Sequence, residues 1–298
     1  MANLTLGDSP APPTGELPSL GILVARHRRM LLMQKLAKVC QRYLAWHGNL
    51  SYDLHTNGET FVLETLAAFR PRVLFDVGAN VGDWTLAANK RCTGARIYAF
   101  EIAPPTFARL EANTRHLPYV HCQNNGLSDF EGPMRIRYYN AVPALTTSTN
   151  YPHALPFTEL EAHVVTGDGY AIREGIEHID LLKIDVEGME EQVLKGFRGM
   201  FARKAIDLIQ FEYGRVSILN RFLLRDFYAF FRERGYVIGK VFPNYVDFRD
   251  YDLGDEDFMG PNYLACREDK TEYLKALGGT PRRGTIHQYN RRCAGDSP

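Results

Sequence analysis

The sequence predicts an α/β protein: a doubly wound, mostly parallel sheet with helices on both faces and an antiparallel edge strand. Three mainly apolar runs carry this prediction, at residues 73–77, 96–101 and 179–185. Polar and apolar residues do not alternate in these runs, as they would in a strand with one exposed face. Continuous apolar runs are typical of parallel strands that are covered on both faces. Each run leads into a glycine, proline or acidic turn and then into a helical pattern, as in a chain that alternates strands and helices.

An N-terminal helical addition is predicted from about Leu20 to Trp46. Apolar residues recur there every three or four positions, which is the spacing of one helix face. They are Leu32, Leu36, Val39, Tyr43 and Trp46. Between Leu17 and Tyr52 there are six Lys and Arg and no Asp or Glu, so the outer face is basic. We expect the apolar face to pack on the protein; a helix that caps the active-site mouth or lies on a membrane surface is the alternative.

The remaining elements are assigned from local patterns. Helices are predicted at 59–69, 83–91, 104–115, 189–197 and 216–234, and strands at 118–122, 134–139, 205–213, 236–242 and 262–266. Residues 140–165 are irregular and rich in Pro and Thr. Because a long polar loop inside a compact domain is usually functional, we expect this segment to be a lid on the acceptor side.

Composition argues against several classes of protein. Lys plus Arg and Asp plus Glu both number 35, so the chain lacks the basic excess of most nucleic-acid binders. The five cysteines show no zinc spacing, which fits reduced thiols in a cytosol. The apolar run at 20–24 is too short for a signal peptide or a membrane span. We therefore expect a cytoplasmic protein whose partners include neither nucleic acid nor membrane.

The turn after the first strand predicts a nucleotide-type site. Polar and glycine residues alternate there: Asp76, Gly78, Asn80 and Gly82. This spacing differs from the Gly-x-Gly-x-x-Gly turn that cradles a pyrophosphate. The Asp76 carboxylate would repel phosphate but suit a cation, and Glu101 ends the next strand where a ribose diol needs an acceptor. Together these features favour S-adenosylmethionine, which joins adenosine to a sulfonium and an amino-acid tail.

The exit loop of the third strand is predicted to flank the adenine. In a doubly wound sheet this loop lies beside the first two strand ends, at the topological switch point. The expected contacts are two backbone positions and two polar side chains: Gly126, Leu127, Asn125 and Ser128. A plain Asn-Gly turn into a hairpin is the alternative.

Four segments resemble successive motifs of the FkbM-type methyltransferases: 75–82, 100–101, 127–129 and 182–190. The most specific is Lys-Ile-Asp-Val-Glu-Gly at 183–188, and the resemblance spans roughly 72–266. It implies a class I methyltransferase fold, which is Rossmann-like, with S-adenosylmethionine as donor. Members of this family mainly methylate hydroxyl groups of secondary metabolites and sugars. The segment 164–169 departs from the family pattern, which weakens any role for Asp168.

Three acids at strand ends are the candidate catalytic residues: Asp185, Glu187 and Glu212. Methyl transfer needs chiefly in-line positioning, and it needs a general base only for a hydroxyl or a protonated amine. We expect Asp185, which is also a candidate for cofactor binding, to face the donor or the acceptor oxygen, with the two glutamates completing an acidic rim. Alternatively, Glu187 only caps a helix and Glu212 pairs with an arginine. Clustered acids can hold Mg²⁺, but the ligand set is not decisive, so no metal is predicted.

The predicted function is O-methylation, by in-line displacement, of a hydroxyl or carboxylate on a small-molecule or secondary-metabolite acceptor. A sugar O-methyltransferase, an N-methyltransferase, a nicotinamide-dependent oxidoreductase and a non-catalytic adenosine-binding module are the alternatives. Candidates for binding an acidic acceptor are His153, His163 and Arg215. The predicted parts are an N-terminal extension with a helical cap, a methyltransferase domain and a C-terminal tail, at 1–58, 59–266 and 267–298. A homodimer is left open.

Overall fold

The computed structural model describes residues 19–149 and 154–278, which form eleven α-helices and two sheets. The helices are α1 Ser19–Arg26, α2 Leu31–His47, α3 Glu59–Ala67, α4 Asp83–Arg91, α5 Pro104–Thr114, α6 Gly167–Arg173, α7 Glu190–Gly196, α8 Arg198–Ala202, α9 Ser217–Asn220, α10 Leu224–Arg232 and α11 Thr271–Leu277. The strands are β1 Val73–Val77, β2 Arg96–Phe100, β3 Val120–Gln123, β4 Gly126–Ser128, β5 Gly132–Tyr138, β6 Thr158–Thr166, β7 Ile179–Ile184, β8 Ile206–Glu212, β9 Tyr236–Phe242, β10 Tyr245–Phe248 and β11 Asn262–Arg267.

The larger sheet contains eight strands in the order β10-β9-β11-β8-β7-β1-β2-β3. The five strands from β8 to β3 in this order are parallel, and β11 lies antiparallel between β8 and β9. This is the doubly wound sheet of class I methyltransferases, so the predicted fold class is confirmed. The strand order reverses between β1 and β7, where the carboxyl ends of the strands leave a crevice for a ligand.

Both faces of the sheet are covered by apolar side chains. In β1, Phe75 and Val77 belong to the core on one face, whereas Leu74 belongs to the core on the other. Helix α10 packs on the first face, where the Phe211 ring stacks on Phe227 with centroids 4.4 Å apart. The uninterrupted apolar runs in the sequence therefore reflect strands that are buried on both sides.

The smaller sheet, β4-β6-β5, corrects part of the loop predicted at 140–165. Residues 158–166 form β6, which pairs along its length with β5. Within β6, Leu160 and Ala162 pack on the Ile136 cluster, while the intervening acidic side chains are exposed. In β6 the more apolar residues occupy every second position, which is the pattern of a strand with one exposed face. The prolines at 152 and 156 obscured this pattern in the sequence.

The helix predicted at 216–234 is two helices. Arg221 between α9 and α10 has a left-handed backbone, with φ of 57°, and the Asp226 carboxylate accepts the Leu223 amide at 2.8 Å to start α10. Leu219, on α9, is exposed. The acidic segment 247–257 begins inside β10. A terminal helix, α11, packs on the core, where the Tyr273 and Phe69 rings lie 4.5 Å apart.

The N-terminal helical addition is two helices, α1 and α2, joined by a short turn. The prediction that its apolar face packs on the protein is wrong, because all five apolar residues of that face are exposed. No other element of the described ranges covers this face. None of the described helices combines the length and the apolar character needed to cross a bilayer.

Candidate active site

A cavity of about 250 Å³ opens at the carboxyl ends of β1, β2, β7 and β8. Eight of the sequence-predicted site residues line it: Gly78, Asn80, Glu101, Gly126, Leu127, Asp185, Glu187 and Glu212. Four others do not: Asp76, Gly82, Asn125 and Ser128. The parallel strands thus bring residues that are far apart in sequence to one crevice.

The turn after β1 brings the backbone against the neighbouring strand. Gly78 has φ of +83°, and a Cβ there would lie 1.8 Å from the Asp185 carbonyl oxygen, so only glycine fits. Asn80 also has a left-handed backbone, with φ of 49°. Its Oδ1 atom is buried and accepts no hydrogen bond from the described residues. The turn therefore offers an unsatisfied acceptor to a ligand in the cavity.

Glu101 is held firmly at the end of β2. Its Oε2 accepts the Asn80 amide at 2.9 Å, and its Oε1 accepts the Ala103 amide at 2.8 Å. Burial raises the pKa of Glu101 to about 7, and the two amides oppose the rise. Each oxygen keeps one lone pair, so this carboxyl can also accept two adjacent hydroxyl groups.

The opposite wall is apolar. A Cβ at Gly126 would lie 2.8 Å from the Ile102 side chain and 3.2 Å from Val164, so a larger residue there would require these side chains to move. Leu127 continues this wall from β4. Ser128 is buried below it, and its hydroxyl lies 3.4 Å from the Asp129 carboxylate. Asn125, which was expected to provide a polar contact, does not reach the cavity wall.

Asp76 lies beneath the cavity, although the sequence suggested direct contact with a cationic ligand. The side chain is fully buried; its Oδ2 accepts the Thr85 hydroxyl at 2.6 Å, and its Oδ1 lies 3.5 Å from Lys183 Nζ. Burial raises the pKa of Asp76, whereas Lys183 and Thr85 lower it. Gly82 directly precedes α4, and a Cβ there would lie 2.8 Å from the Leu110 side chain. Neither Asp76 nor Gly82 lines the cavity; both flank the turn after β1 on the side away from it.

Lys183 is the buried cation that connects the two central strands. Its Nζ lies 3.2 Å from Asp185 Oδ2 and 3.5 Å from Asp76 Oδ1. Burial alone would lower the pKa of Lys183, but the charges of Asp185, Asp76 and Glu59 raise it above its ordinary value. Glu59, on α3, is itself hydrogen-bonded to Gln210 at 2.6 Å. Lys183 is thus a structural counter-ion for the buried acids around it.

The three candidate catalytic acids meet at the mouth of the crevice, with carboxyl oxygens within 4.8 Å of one another. Burial would raise the pKa of Asp185, but Lys183 and a hydrogen bond from Glu212 hold it below its ordinary value. Burial raises the pKa of Glu187 to about 8, and the charges of Asp185 and Glu190 add to the rise. Burial and the neighbouring acids raise the pKa of Glu212 well above its usual range. The cluster therefore combines one acid whose pKa is lowered with two whose pKa values are raised.

Glu187 is fixed by its backbone. Its φ is 49°, and its carbonyl accepts the Thr147 hydroxyl at 2.7 Å. The next carbonyl, of Gly188, accepts the Asn220 side-chain amide, and the buried Glu190 carboxylate accepts the Gly188 amide at 3.1 Å. A side chain on such a constrained turn can keep one orientation toward a substrate.

Sequence reasoning missed part of the wall. Tyr52, Met189 and the loop residues Pro143, Ala144, Thr146, Thr147 and Ser148 all line the cavity. The loop had been predicted to lie on the acceptor side, but no sequence pattern singled out its members. His163 and Arg215 are exposed and do not line the cavity, and His153 lies outside the described residues. Asp168 accepts the Gly199 and Met200 amides at 2.6 and 2.9 Å, so it caps α8.

The three candidate catalytic acids also have the spacing of a metal site. Their oxygens are close enough to share a divalent cation, but the protons on Glu187 and Glu212 would first have to leave. A second group, of His178, Asp180 and Asp207, has similar spacing. There Asp207 already pairs with Arg267 and Lys270 at 3.2 and 2.7 Å. The absence of a metal remains a prediction.

Comparison with known proteins assigns the central part of the chain. Residues 76–238 match the family model described as the methyltransferase FkbM domain. A relative from Streptomyces tacrolimicus, the 31-O-demethyl-FK506 methyltransferase FkbM, is 34% identical over 42% of this chain and 58% of its own length. The hexuronic acid methyltransferase AglP of Haloferax volcanii is 30% identical over 42% of this chain and 49% of its own length.

Among solved structures, this chain is similar to a methyltransferase FkbM from Methylobacillus flagellatus. It has a TM-score of 0.42 and 14% identity over 66% of this chain and 44% of its own. The match to the first curated relatives spans less than two thirds of their length.

Replacement of Lys183 by methionine should lower the free energy of unfolding by about 3–5 kcal/mol, because it leaves buried acids without their counter-ion. Urea denaturation measures this change. The matched control is Lys195→Met, whose partner Glu191 lies 2.7 Å away on the helix surface; its cost should be about 1 kcal/mol or less. Adding Asp76→Asn to Lys183→Met should restore part of the loss. Equal costs for the two single variants would contradict the role given to Lys183.

Proposed function

We propose that this chain, which belongs to the FkbM methyltransferase family and uses S-adenosylmethionine, transfers the methyl group to a hydroxyl of an uncharged small molecule. The observation that carries the proposal is the charge of the cavity. Four carboxyl groups line it, and no Lys or Arg is among its lining residues in the described ranges. Such a site favours a cationic donor and a neutral acceptor.

The described residues fit the donor. S-adenosylmethionine supplies a methyl group on a sulfonium, which is already a good leaving group. Glu101 has lone pairs for the two ribose hydroxyls, and the unpartnered Asn80 Oδ1 can accept a further hydrogen bond. Gly78 lets the turn after β1 lie against the Asp185 backbone, and Leu127 offers an apolar wall for the adenine. Asp185, the ionised member of the acid cluster, suits the positive charge.

The acceptor would lie beside Glu187, on the side formed by the loop 143–148. An anionic acceptor would have to approach the carboxylate of Asp185, with no lining cation among the described residues to offset the repulsion. A neutral hydroxyl has no such cost. The apolar members of this wall, Pro143 and Met189, can exclude water from the reacting groups.

Glu187 is the residue that we assign as general base. When ionised, it would accept the hydroxyl proton as the oxygen forms its bond to the methyl group, so that the product is a methyl ether. A base with a pKa of about 8 is matched to work near neutral pH. Glu212, which keeps its proton, donates a hydrogen bond to Asp185 and so holds that carboxylate in place.

N-methylation of an amine is the second candidate, because the acidic cavity would also attract a protonated amine. The name of the Streptomyces relative, an O-methyltransferase, supports the hydroxyl. The two reactions give products of different charge, so one assay separates them.

The proposal is tested with methyl-labelled S-adenosylmethionine and matched acceptors that carry a hydroxyl, a carboxylate or an amine on the same carbon framework. We expect label in an uncharged product that survives alkali, as a methyl ether does. Label that alkali releases as methanol would indicate a methyl ester, and label in a basic product would indicate an amine. Either result would contradict the proposed acceptor.

Glu101→Gln should raise the dissociation constant for S-adenosylhomocysteine by about tenfold or more, since hydrogen bonds to a charged carboxylate contribute roughly 1.5–3 kcal/mol. Calorimetric titration above the carboxyl's pKa of about 7 measures it. The matched control is Glu111→Gln, at an exposed position on α5, which should bind like the unmodified protein. Equal affinities for all three proteins would remove Glu101 from the donor site.

Glu187→Gln should lower kcat by about a hundredfold, the lower range for loss of a general base, and leave the affinity for S-adenosylhomocysteine unchanged. In the unmodified enzyme kcat/KM, which reports the pKa values of the free protein, should rise with pH through about 8, because only the ionised carboxylate accepts a proton. The variant should lack this rise. Glu191→Gln on the adjacent helix is the control. A pH profile that is the same in the variant and the unmodified enzyme would show that another group is the base.

A further inference from the structure

We propose that helices α1 and α2 form a surface that binds anionic lipid bilayers. The first observation is an apolar helix face that none of the described elements covers. Its side chains are largely exposed: Leu32 64%, Leu36 52%, Val39 64%, Tyr43 61% and Trp46 71%. In a folded protein an apolar stripe of this size usually marks an interaction site.

Basic residues lie along one side of this apolar stripe. Lys35, Lys38 and Arg42 recur at spacings of three and four on α2, so they share one side of the helix. Three further arginines lie at the junction of the two helices: Arg26, Arg28 and Arg29. An apolar face beside a basic face is the arrangement of helices that lie in the plane of a membrane surface.

Charge complementarity selects the partner. The whole chain has a formal charge of zero, yet residues 17–52 carry six Lys and Arg and no acid. The positive charge is therefore concentrated beside the exposed apolar face. The cytoplasmic faces of membranes carry anionic lipids, which attract basic segments. Trp46 and Tyr43 belong to the residue types that prefer the boundary between lipid and water.

Other occupants fit this face less well. A second copy would bring two basic surfaces together without an acid in this segment to pair them. Residues 279–298 include four arginines and few large apolar residues, so charge and composition both disfavour them as a cover. Residues 1–18 contain only three leucines and one methionine as large apolar residues, too few to match the five residues of this apolar face.

The helix has the dimensions of a surface anchor. Its 17 residues correspond to about 25 Å, which is shorter than a typical membrane-spanning helix. Its carboxyl end is tied to the protein, because the Asn49 side chain donates to the Asn57 and Val241 carbonyls at 2.7 and 2.9 Å. A bilayer bound to α2 would therefore hold the whole protein.

The test uses the full chain and sedimentation with vesicles. We expect binding to vesicles of phosphatidylserine and phosphatidylcholine in equal parts, little binding to phosphatidylcholine alone, and weaker binding at high salt. Leu32→Ser with Leu36→Ser should weaken binding by about tenfold or more. Replacing Lys35, Lys38 and Arg42 with glutamine should weaken it by about a hundredfold, or about fivefold per charge.

Matched controls distinguish binding through this surface from nonspecific binding of the protein to vesicles. The first control removes two apolar residues that are exposed elsewhere on the protein, by Ile172→Ser with Leu253→Ser. The second control removes three charges that are exposed elsewhere, by changing Lys90, Arg109 and Arg115 to glutamine. Both controls should bind as the unmodified protein does. Circular dichroism establishes that every variant is folded.

Trp46 gives a second readout, because its emission should shift to the blue when anionic vesicles are added. Trp84 is buried, so Trp46→Phe should abolish the shift. Absence of vesicle binding, or binding that the α2 variants leave unchanged, would overturn the proposal. A dimer in solution that the two serine substitutions disperse, without vesicle binding, would assign the face to a second copy and would overturn it as well.

Discussion

A single buried ammonium group among many carboxyl groups is the constraint on which the site depends. The acids that surround Lys183 and the adjoining strand ends are Glu59, Asp76, Glu101, Asp185, Glu187, Glu190 and Glu212. One positive charge cannot balance seven negative ones in a poorly solvated space. Asp185, whose Oδ2 lies 3.2 Å from the ammonium, has a lowered pKa. The pKa values of the other six are raised, and burial is the largest cause for each.

This division of protons suits methyl transfer. The ionised Asp185 provides negative charge for a sulfonium, Glu212 keeps a proton that it donates to Asp185, and Glu187 titrates close to neutral pH. The fold thereby places an electrostatic partner and a candidate base side by side. Raised carboxyl pKa values also mean that the stability these groups contribute is lost as pH rises through them. The site thus has a cost in stability that a bound cationic donor would partly relieve.

Local patterns predicted the fold and much of the cavity, because buried parallel strands and glycine turns leave short-range signals. Gly78, Glu101 and Gly126 were found in this way, since each ends or follows a strand. The direction of the Asp76 side chain was not predictable, because it depends on Lys183 and Thr85, which come from other elements. Thr147 and Tyr52 carry no pattern of their own, and only the folded chain brings them to the wall. On α2 the sequence predicted an amphipathic helix, but periodicity does not say what covers its apolar face.

The most direct test of this account is a carbon-13 NMR titration of the side-chain carboxyls of Asp185, Glu187 and Glu212 in the folded protein, assigned by conservative amide substitutions. We expect Asp185 to be ionised across the neutral range, Glu187 to titrate near pH 8 and Glu212 to titrate well above its ordinary value. If all three instead titrate at the ordinary value of about 4, Lys183 does not organise the charges of the site, and the assignment of Glu187 as the base is wrong.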